Sequence, residues 1–246
     1  MTGRRVLMVL TSHDEMGVSG RKTGNWFDEV ATPYYRFREA GFAVTLASAR
    51  GGAAPLDPAS RRAPYATDAT RRFEGDAAAL EALSRTMAFA AVDPAAYDAV
   101  FFPGGYGQLW DLASDSAVIQ AVEQWVAGET PVAMVCHAPA ILRDARRADG
   151  EPLVKGRAVT GFTDAEDAEL GLTRAVLFSV ERALRGNGAV FQHAARNWAP
   201  NVVQDGALLT GQNPASAAAL ADAMVERLRA TAGAELARVS GSAGSR

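Results

Sequence analysis

The sequence has few of the residues that usually announce a function. It contains a single cysteine and three histidines in 246 residues. One thiol cannot close an internal disulfide, so a disulfide-stapled extracellular fold is excluded and a reducing cytoplasm is expected. No apolar run approaches the roughly 18 residues that cross a bilayer, so no membrane partner is expected. The opening MTGRRVLMVL carries an apolar run of five residues before TSHDE, too short for a signal-peptide core. Basic blocks are missing too: the net charge is −3 and the pI near 5.7, which argues against nucleic acid as a partner. Cys136, His13, His137 and His193 show no metal-ligand spacing, so no metal is expected. No repeat recurs at a period of about 20–50 residues.

What is present is apolar and evenly distributed. At 48% hydrophobic residues the chain can bury a substantial core. Short, continuously apolar runs alternate with longer amphipathic ones: Arg5–Leu10, Phe42–Ser48, Tyr97–Pro103, Thr130–Val135 and Arg157–Phe162. Such runs suit strands buried on both faces, so an α/β fold with a mostly parallel sheet is expected. One domain spanning 1–232 follows, with 50–93 as a turn-rich excursion over the sheet and 233–246 as a flexible tail. Thr11–Trp26 reads as the loop after the first strand. Thr32 followed by Pro33 resembles an N-cap and a first helical residue, which places Glu29 just ahead of a helix ending at Gly41. Asn213 and Pro214 open a last helix with Leu220, Met224 and Leu228 on one stripe.

Cys136 lies in PVAMVCHAPAIL, between a predicted strand and a helical run. At such a corner the side chain projects from the sheet edge, and the positive end of the following helix favours a thiolate. The competing reading is a buried structural cysteine. A second element, FFPGGYGQLWDL, places Gly104, Gly105 and Gly107 directly after another apolar strand. Its glycines let backbone amides approach a ligand, so the amides of Gly105 and His137 are candidate oxyanion donors. A plain tight turn is the alternative. A dinucleotide fingerprint is excluded because Trp110 stands where its third glycine is required.

TGNWFDE with TPYYRF, then LDPAS, FFPGGYGQLWDL, MVCHAPAIL, TGFTDAEDAELG and DGALLTGQNPASA occur in an order that resembles the ThiJ/PfpI superfamily. Within it, the chain is similar to the branch of heat-shock chaperones with glyoxalase III activity. The resemblance implies a flavodoxin-like three-layer sandwich that forms a homodimer, with Cys136 at a nucleophile elbow. It implies that Glu29 contacts the thiol, that His137 assists, and that Asp167, or its neighbour Glu166, orients His137. Trp26, Tyr106 and Trp110 would line or wall the pocket, though aromatic core packing accounts for the tryptophans equally well. The branch usually has histidine where this chain has Tyr106, which keeps a hydroxyl but is no base near neutrality.

The activity implied is cofactor-independent conversion of small 2-oxoaldehydes, with methylglyoxal to lactate as the model reaction. Two other readings stay open. The Cys–His pair would serve a deglycase, peptidase or amidotransferase-like hydrolase, and an oxidisable thiol would serve a stress-related holdase chaperone. His13 and His193 are expected outside the chemistry.

Overall fold

The computed structural model describes residues 3–243, with side chains through residue 233. Nine strands and seven α-helices are distributed along these residues. They are β1 (Arg5–Leu10), α1 (Phe27–Glu39), β2 (Ala43–Ser48), α2 (Asp68–Gly75), α3 (Ala77–Ser84), β3 (Met87–Ala88), β4 (Ala99–Phe102), α4 (Ser116–Ala127), β5 (Val132–Val135), β6 (Ala158–Val159), α5 (Asp164–Glu169), α6 (Val180–Gly186), β7 (Val190–Phe191), β8 (Val202–Asp205), β9 (Leu208–Gly211) and α7 (Ala217–Ala243). The central sheet has the order β3-β2-β1-β4-β5-β9-β8 and is parallel throughout except for β8, which pairs antiparallel with β9.

Alternation along the strands divides the core into two layers. Val6, Met8 and Leu10 of β1 pack with Phe101 and Val135 against α1 and α7, where Phe37, Leu220 and Met224 close the layer. Leu7 and Val9 point the other way, with Val100, Phe102, Val132 and Met134, onto Val118, Val122 and Trp125 of α4. A sheet covered by helices on both faces needs strands without a polar side, which is what the apolar runs encode. The fold is the flavodoxin-like α/β sandwich, and the stripe Leu220, Met224 and Leu228 is buried as its spacing requires.

Four sequence expectations change. Helix α1 starts at Phe27, so Glu29 sits in its first turn and Pro33 lies inside it. Proline tolerates that interior position at the cost of one helical hydrogen bond, because it has no N–H to offer the Glu29 carbonyl. The Arg157–Phe162 run contributes only the two-residue β6, paired with β7 outside the central sheet. Side chains take its ladder bonds: Asp205 Oδ2 accepts from the Ala158 amide at 2.9 Å and Thr210 Oγ1 from the Thr160 amide at 2.9 Å. The 50–93 excursion supplies β3, an edge strand of the sheet, as well as α2 and α3. Helix α7 runs on to Ala243, where a tail was expected from residue 233, because Ala, Glu, Leu and Arg there favour helix; residues 244–246 lie outside the described residues. The β8–β9 hairpin, turning at Gly206 with φ 59°, was not anticipated.

Strand β1 has β2 on one side and β4 on the other, and β4 is followed by β5, all parallel. The loops after β1, β4 and β5 therefore emerge side by side at one sheet edge, the place where open α/β sheets bind ligands. Phe37, fully buried and packed edge-on to Phe101 at 5.6 Å, ties α1 to the sheet beneath that edge. Phe37→Ala is expected to lower unfolding free energy by about 3–5 kcal/mol, measured by urea denaturation; a loss below about 1 kcal/mol would contradict this packing.

Candidate active site

The three parallel strand ends bring Cys136, Gly104 and Glu29 together. Cys136 follows β5 with φ 62°, a left-handed conformation that costs a side-chain-bearing residue about 1–2 kcal/mol. Two backbone bonds hold it there: its amide donates to the Gly211 carbonyl at 3.0 Å, and its carbonyl accepts from Phe162 N–H at 2.8 Å. The result is a nucleophile-elbow geometry, with a short 3-10 helix, Ala138–Arg143, after the turn.

Gly104 is the spacer. A Cβ on it would lie 2.5 Å from Cys136 Cβ and 2.6 Å from Glu29 Oε2, so no side chain fits. Its amide donates to Glu29 Oε2 at 2.7 Å, and its carbonyl accepts from Trp26 N–H at 2.9 Å, which locks the start of α1 to the loop after β4. Gly105, at φ 121°, turns its amide toward the Cys136 sulfur. That amide is one of the expected oxyanion donors.

Glu29 is fully buried, and among the described residues its Oε1 has no nitrogen or oxygen partner. Burial pushes its carboxyl up to about 8, opposed by the Gly104 amide and the Cys136 thiol. Cys136 moves the same way: burial raises the thiol well above its usual value, and the Glu29 charge adds to the shift. This reverses the expectation of a thiol acidified by the following helix. Desolvation and a like charge outweigh a 3-10 helix of only six residues. The two groups form a coupled pair in which neither ionises readily while the other is charged.

His137 completes the cluster. Its Nδ1 lies 3.3 Å from Cys136 Sγ, and its ring is held between Tyr106 and Phe162 at centroid distances of 4.1 and 4.3 Å. Nε2 faces Asp167 Oδ1 at 3.4 Å, close enough for an ion pair but without hydrogen-bond alignment. Tyr106 O–H donates to the same Asp167 oxygen at 2.9 Å. Burial and the neighbouring Asp167 and Cys136 charges push the Tyr106 phenol up, so it remains a donor. Of the two acids considered, Asp167 faces the histidine. Glu166 is instead the N3 residue of a capping box with Thr163, and its other oxygen accepts from Trp198, Gln212 and Asn213.

A cavity of about 490 Å³ opens over the sulfur, lined by Trp26, Gly105, Tyr106, Cys136 and His137. Trp110 is not in its wall; it stacks on His13 at 5.4 Å. His193 is exposed and bonds the neighbouring Ala194 carbonyl at 2.9 Å. Sequence reasoning missed Tyr65, Phe162 and Trp198, which also line the cavity. Phe162 was legible as the residue ending an apolar run, whereas Trp198 lies in a stretch without periodic pattern. Among the described residues, no three His, Cys, Asp or Glu side chains converge in a way that could hold a metal ion.

The DJ-1/PfpI family model matches residues 28–227. The chain belongs to the DJ-1/PfpI family. Within the family it is similar to Glyoxalase 3 of Candida albicans, at 30% identity over 90% of this chain and 97% of that protein. It is also 30% identical to the glutathione-independent glyoxalase HSP31 of Saccharomyces cerevisiae, over 93% of this chain and 100% of the relative. Among solved structures, Rapid Encystment Protein of Francisella tularensis superposes with a TM-score of 0.86 at 32% identity, covering 91% of this chain and 98% of that one. Membership in the glyoxalase III-like branch rests on these full-length similarities.

The Glu29 shift has a measurable consequence. Its carboxyl is raised in the folded state, from 4.5 to about 8, so the folded protein holds a proton that the unfolded chain releases. The stabilising contribution is complete below 4.5 and is lost as pH rises toward 8. Glu29→Gln removes this dependence. Across that window, wild-type stability should fall relative to the variant by up to about 1.4 kcal/mol per pH unit, read from urea denaturation at several pH values. Parallel stability–pH curves would show that Glu29 is not raised.

Proposed function

We propose that this protein is a glutathione-independent glyoxalase that converts small 2-oxoaldehydes to 2-hydroxy acids, methylglyoxal to lactate being the model reaction. The observation that carries this reading is the convergence of thiol, carboxyl and imidazole on one buried sulfur at the floor of an apolar cavity. Relatives named as glyoxalases across nearly the full chain support it.

In the proposed cycle, Sγ of Cys136 attacks the aldehyde carbon while the thiol proton passes to His137 Nδ1, 3.3 Å away. Asp167, at 3.4 Å from Nε2, stabilises the imidazolium. The Gly105 amide, already directed at the sulfur, is placed to hold the oxyanion on the carbon bound to it. His137 returns its proton to that oxygen, giving a hemithioacetal. Glu29, in its ionised form, then removes the proton from the former aldehyde carbon while the hydroxyl proton passes through His137 to the keto oxygen, giving an enediolate, and the Glu29 carboxyl delivers its proton to the adjacent carbon as the first collapses to a thioester. Water hydrolyses the thioester and restores the thiol. One carbon is oxidised and its neighbour reduced by the same amount, so the reaction balances with water alone.

A carboxyl near 8 suits the carbon-to-carbon transfer, because it takes up and gives back a proton near neutrality with little driving force lost either way. The amidotransferase reading has less support: His193, the only histidine after the cysteine's own neighbour, is exposed and directed at its own backbone segment.

Cys136→Ser is expected to lower methylglyoxal consumption by about a thousandfold or more, followed by direct lactate assay. Consumption within a few-fold of wild type would remove the covalent mechanism.

A further inference from the structure

The cavity over Cys136 is far larger than methylglyoxal requires. Pockets of about 300–1,000 Å³ take ligands of drug size, and this one, at about 490 Å³, lies within that range. Its lining is chiefly aromatic and aliphatic, with Trp26, Tyr65, Phe162, Leu170 and Trp198 forming the walls and rim. Among the described residues, no lysine or arginine lines it, and the carboxylate in its lining, Glu169, is already engaged by Asn197 and by the Trp198 indole. An anionic substrate tail would find no counter-charge here.

Trp198 is the unusual part of this wall. It adopts φ 65°, an outlier for a bulky residue, and it is 39% exposed, so core burial does not account for the conformation. Two acids from α5 hold it. Glu166 Oε1 accepts from its backbone amide at 2.9 Å, and the Glu169 carboxylate accepts from its indole N–H. Glu166 is itself fixed by Thr163, Gln212 and Asn213, and the indole stands edge-on to Phe162 at 5.7 Å, the same Phe162 that packs on the His137 ring. Tyr65 and Leu170 leave further apolar surface open on the rim, at 44% and 39% exposure. A strained, exposed indole fixed through both its backbone and its ring, on the wall of a site, is surface held ready for a ligand.

We infer that the preferred substrate carries a bulky apolar group, aryl or branched alkyl, on the keto carbon, and that Trp198 is the residue that selects it. This rests on the 2-oxoaldehyde chemistry proposed above. The reacting carbons meet Cys136 and Glu29 at the floor while the apolar group lies against Trp198, Phe162 and Tyr65. Glu166 and Glu169 are positioning residues that act through Trp198.

The test compares kcat/KM for phenylglyoxal and methylglyoxal, each corrected for its free-aldehyde fraction, in the wild type, Trp198→Ala and Trp198→Phe. The phenylglyoxal-to-methylglyoxal ratio is expected to fall about tenfold in Trp198→Ala and to recover largely in Trp198→Phe, since an apolar ring against a pocket wall is worth discrimination of that order. A ratio unchanged by Trp198→Ala would overturn the inference. Binding of acetophenone, an aryl ketone without the aldehyde, is measured in parallel by ligand-observed NMR on Cys136→Ser with and without Trp198→Ala. If neither aldehyde turns over but acetophenone binding still weakens about tenfold with Trp198→Ala, the apolar site stands and the glyoxalase reading falls. If turnover is present but acetophenone binding ignores Trp198, the selectivity assignment falls and the glyoxalase reading stands.

Discussion

The arrangement depends on one contact: an uncharged-leaning carboxyl, Glu29, buried against the Cys136 thiol across a glycine that leaves no room for a side chain. A buried carboxylate is costly unless it is neutralised or fully hydrogen-bonded. Glu29 receives one amide bond, from Gly104, and among the described residues its second oxygen has no nitrogen or oxygen partner. Protonation settles the difference, and the raised carboxyl is therefore a product of the same close packing that brings it to the sulfur. Fold and chemistry share this constraint. Strands β1, β4 and β5 must lie side by side, Gly104 must be bare, and Cys136 must accept φ 62° for the contact to form.

The other buried acids show how local wiring separates roles. Glu166 and Asp167 are adjacent in sequence and both buried, yet they face different partners. Glu166 closes the capping box of α5 and gathers donors from Trp198, Gln212 and Asn213, which is a fully satisfied structural carboxylate. Asp167 points at His137 and Tyr106 instead. Tyr106 takes the aligned hydrogen bond to Asp167 Oδ1, and His137 Nε2 faces the same oxygen at 3.4 Å without that alignment. The tyrosine thus shares Asp167 with the imidazole, in addition to filling the wall of the cavity.

Much of this was legible in the sequence because the determining features are local. Strands β1, β4 and β5 are short runs without a polar face, and Gly104, Gly105 and Cys136 directly follow two of them, so the elbow and the glycine loop could be placed before any coordinates. Glu29 was identified through family resemblance and assigned to a loop; Pro33 suggested a helix start, whereas α1 begins six residues earlier and carries the proline within it. The sign of the thiol shift was not legible, since it follows from burial and from a carboxyl more than 100 residues distant in sequence. Trp110 leaves the cavity wall where it was expected, and Trp198, for which there was no expectation, lines it, for the same reason. Trp110 sits beside a motif but stacks on His13, while Trp198 has no motif and reaches the cavity through contacts with α5.

The central claim is that Glu29 remains protonated near neutrality beside Cys136. Infrared difference spectroscopy of the protonated carboxyl stretch, wild type minus Glu29→Gln, tests it directly across a pH titration. The account predicts a protonated-carboxyl band at neutral pH, absent from the variant, that disappears around pH 8. A Glu29 carboxylate already ionised at pH values near the ordinary 4.5 would contradict it.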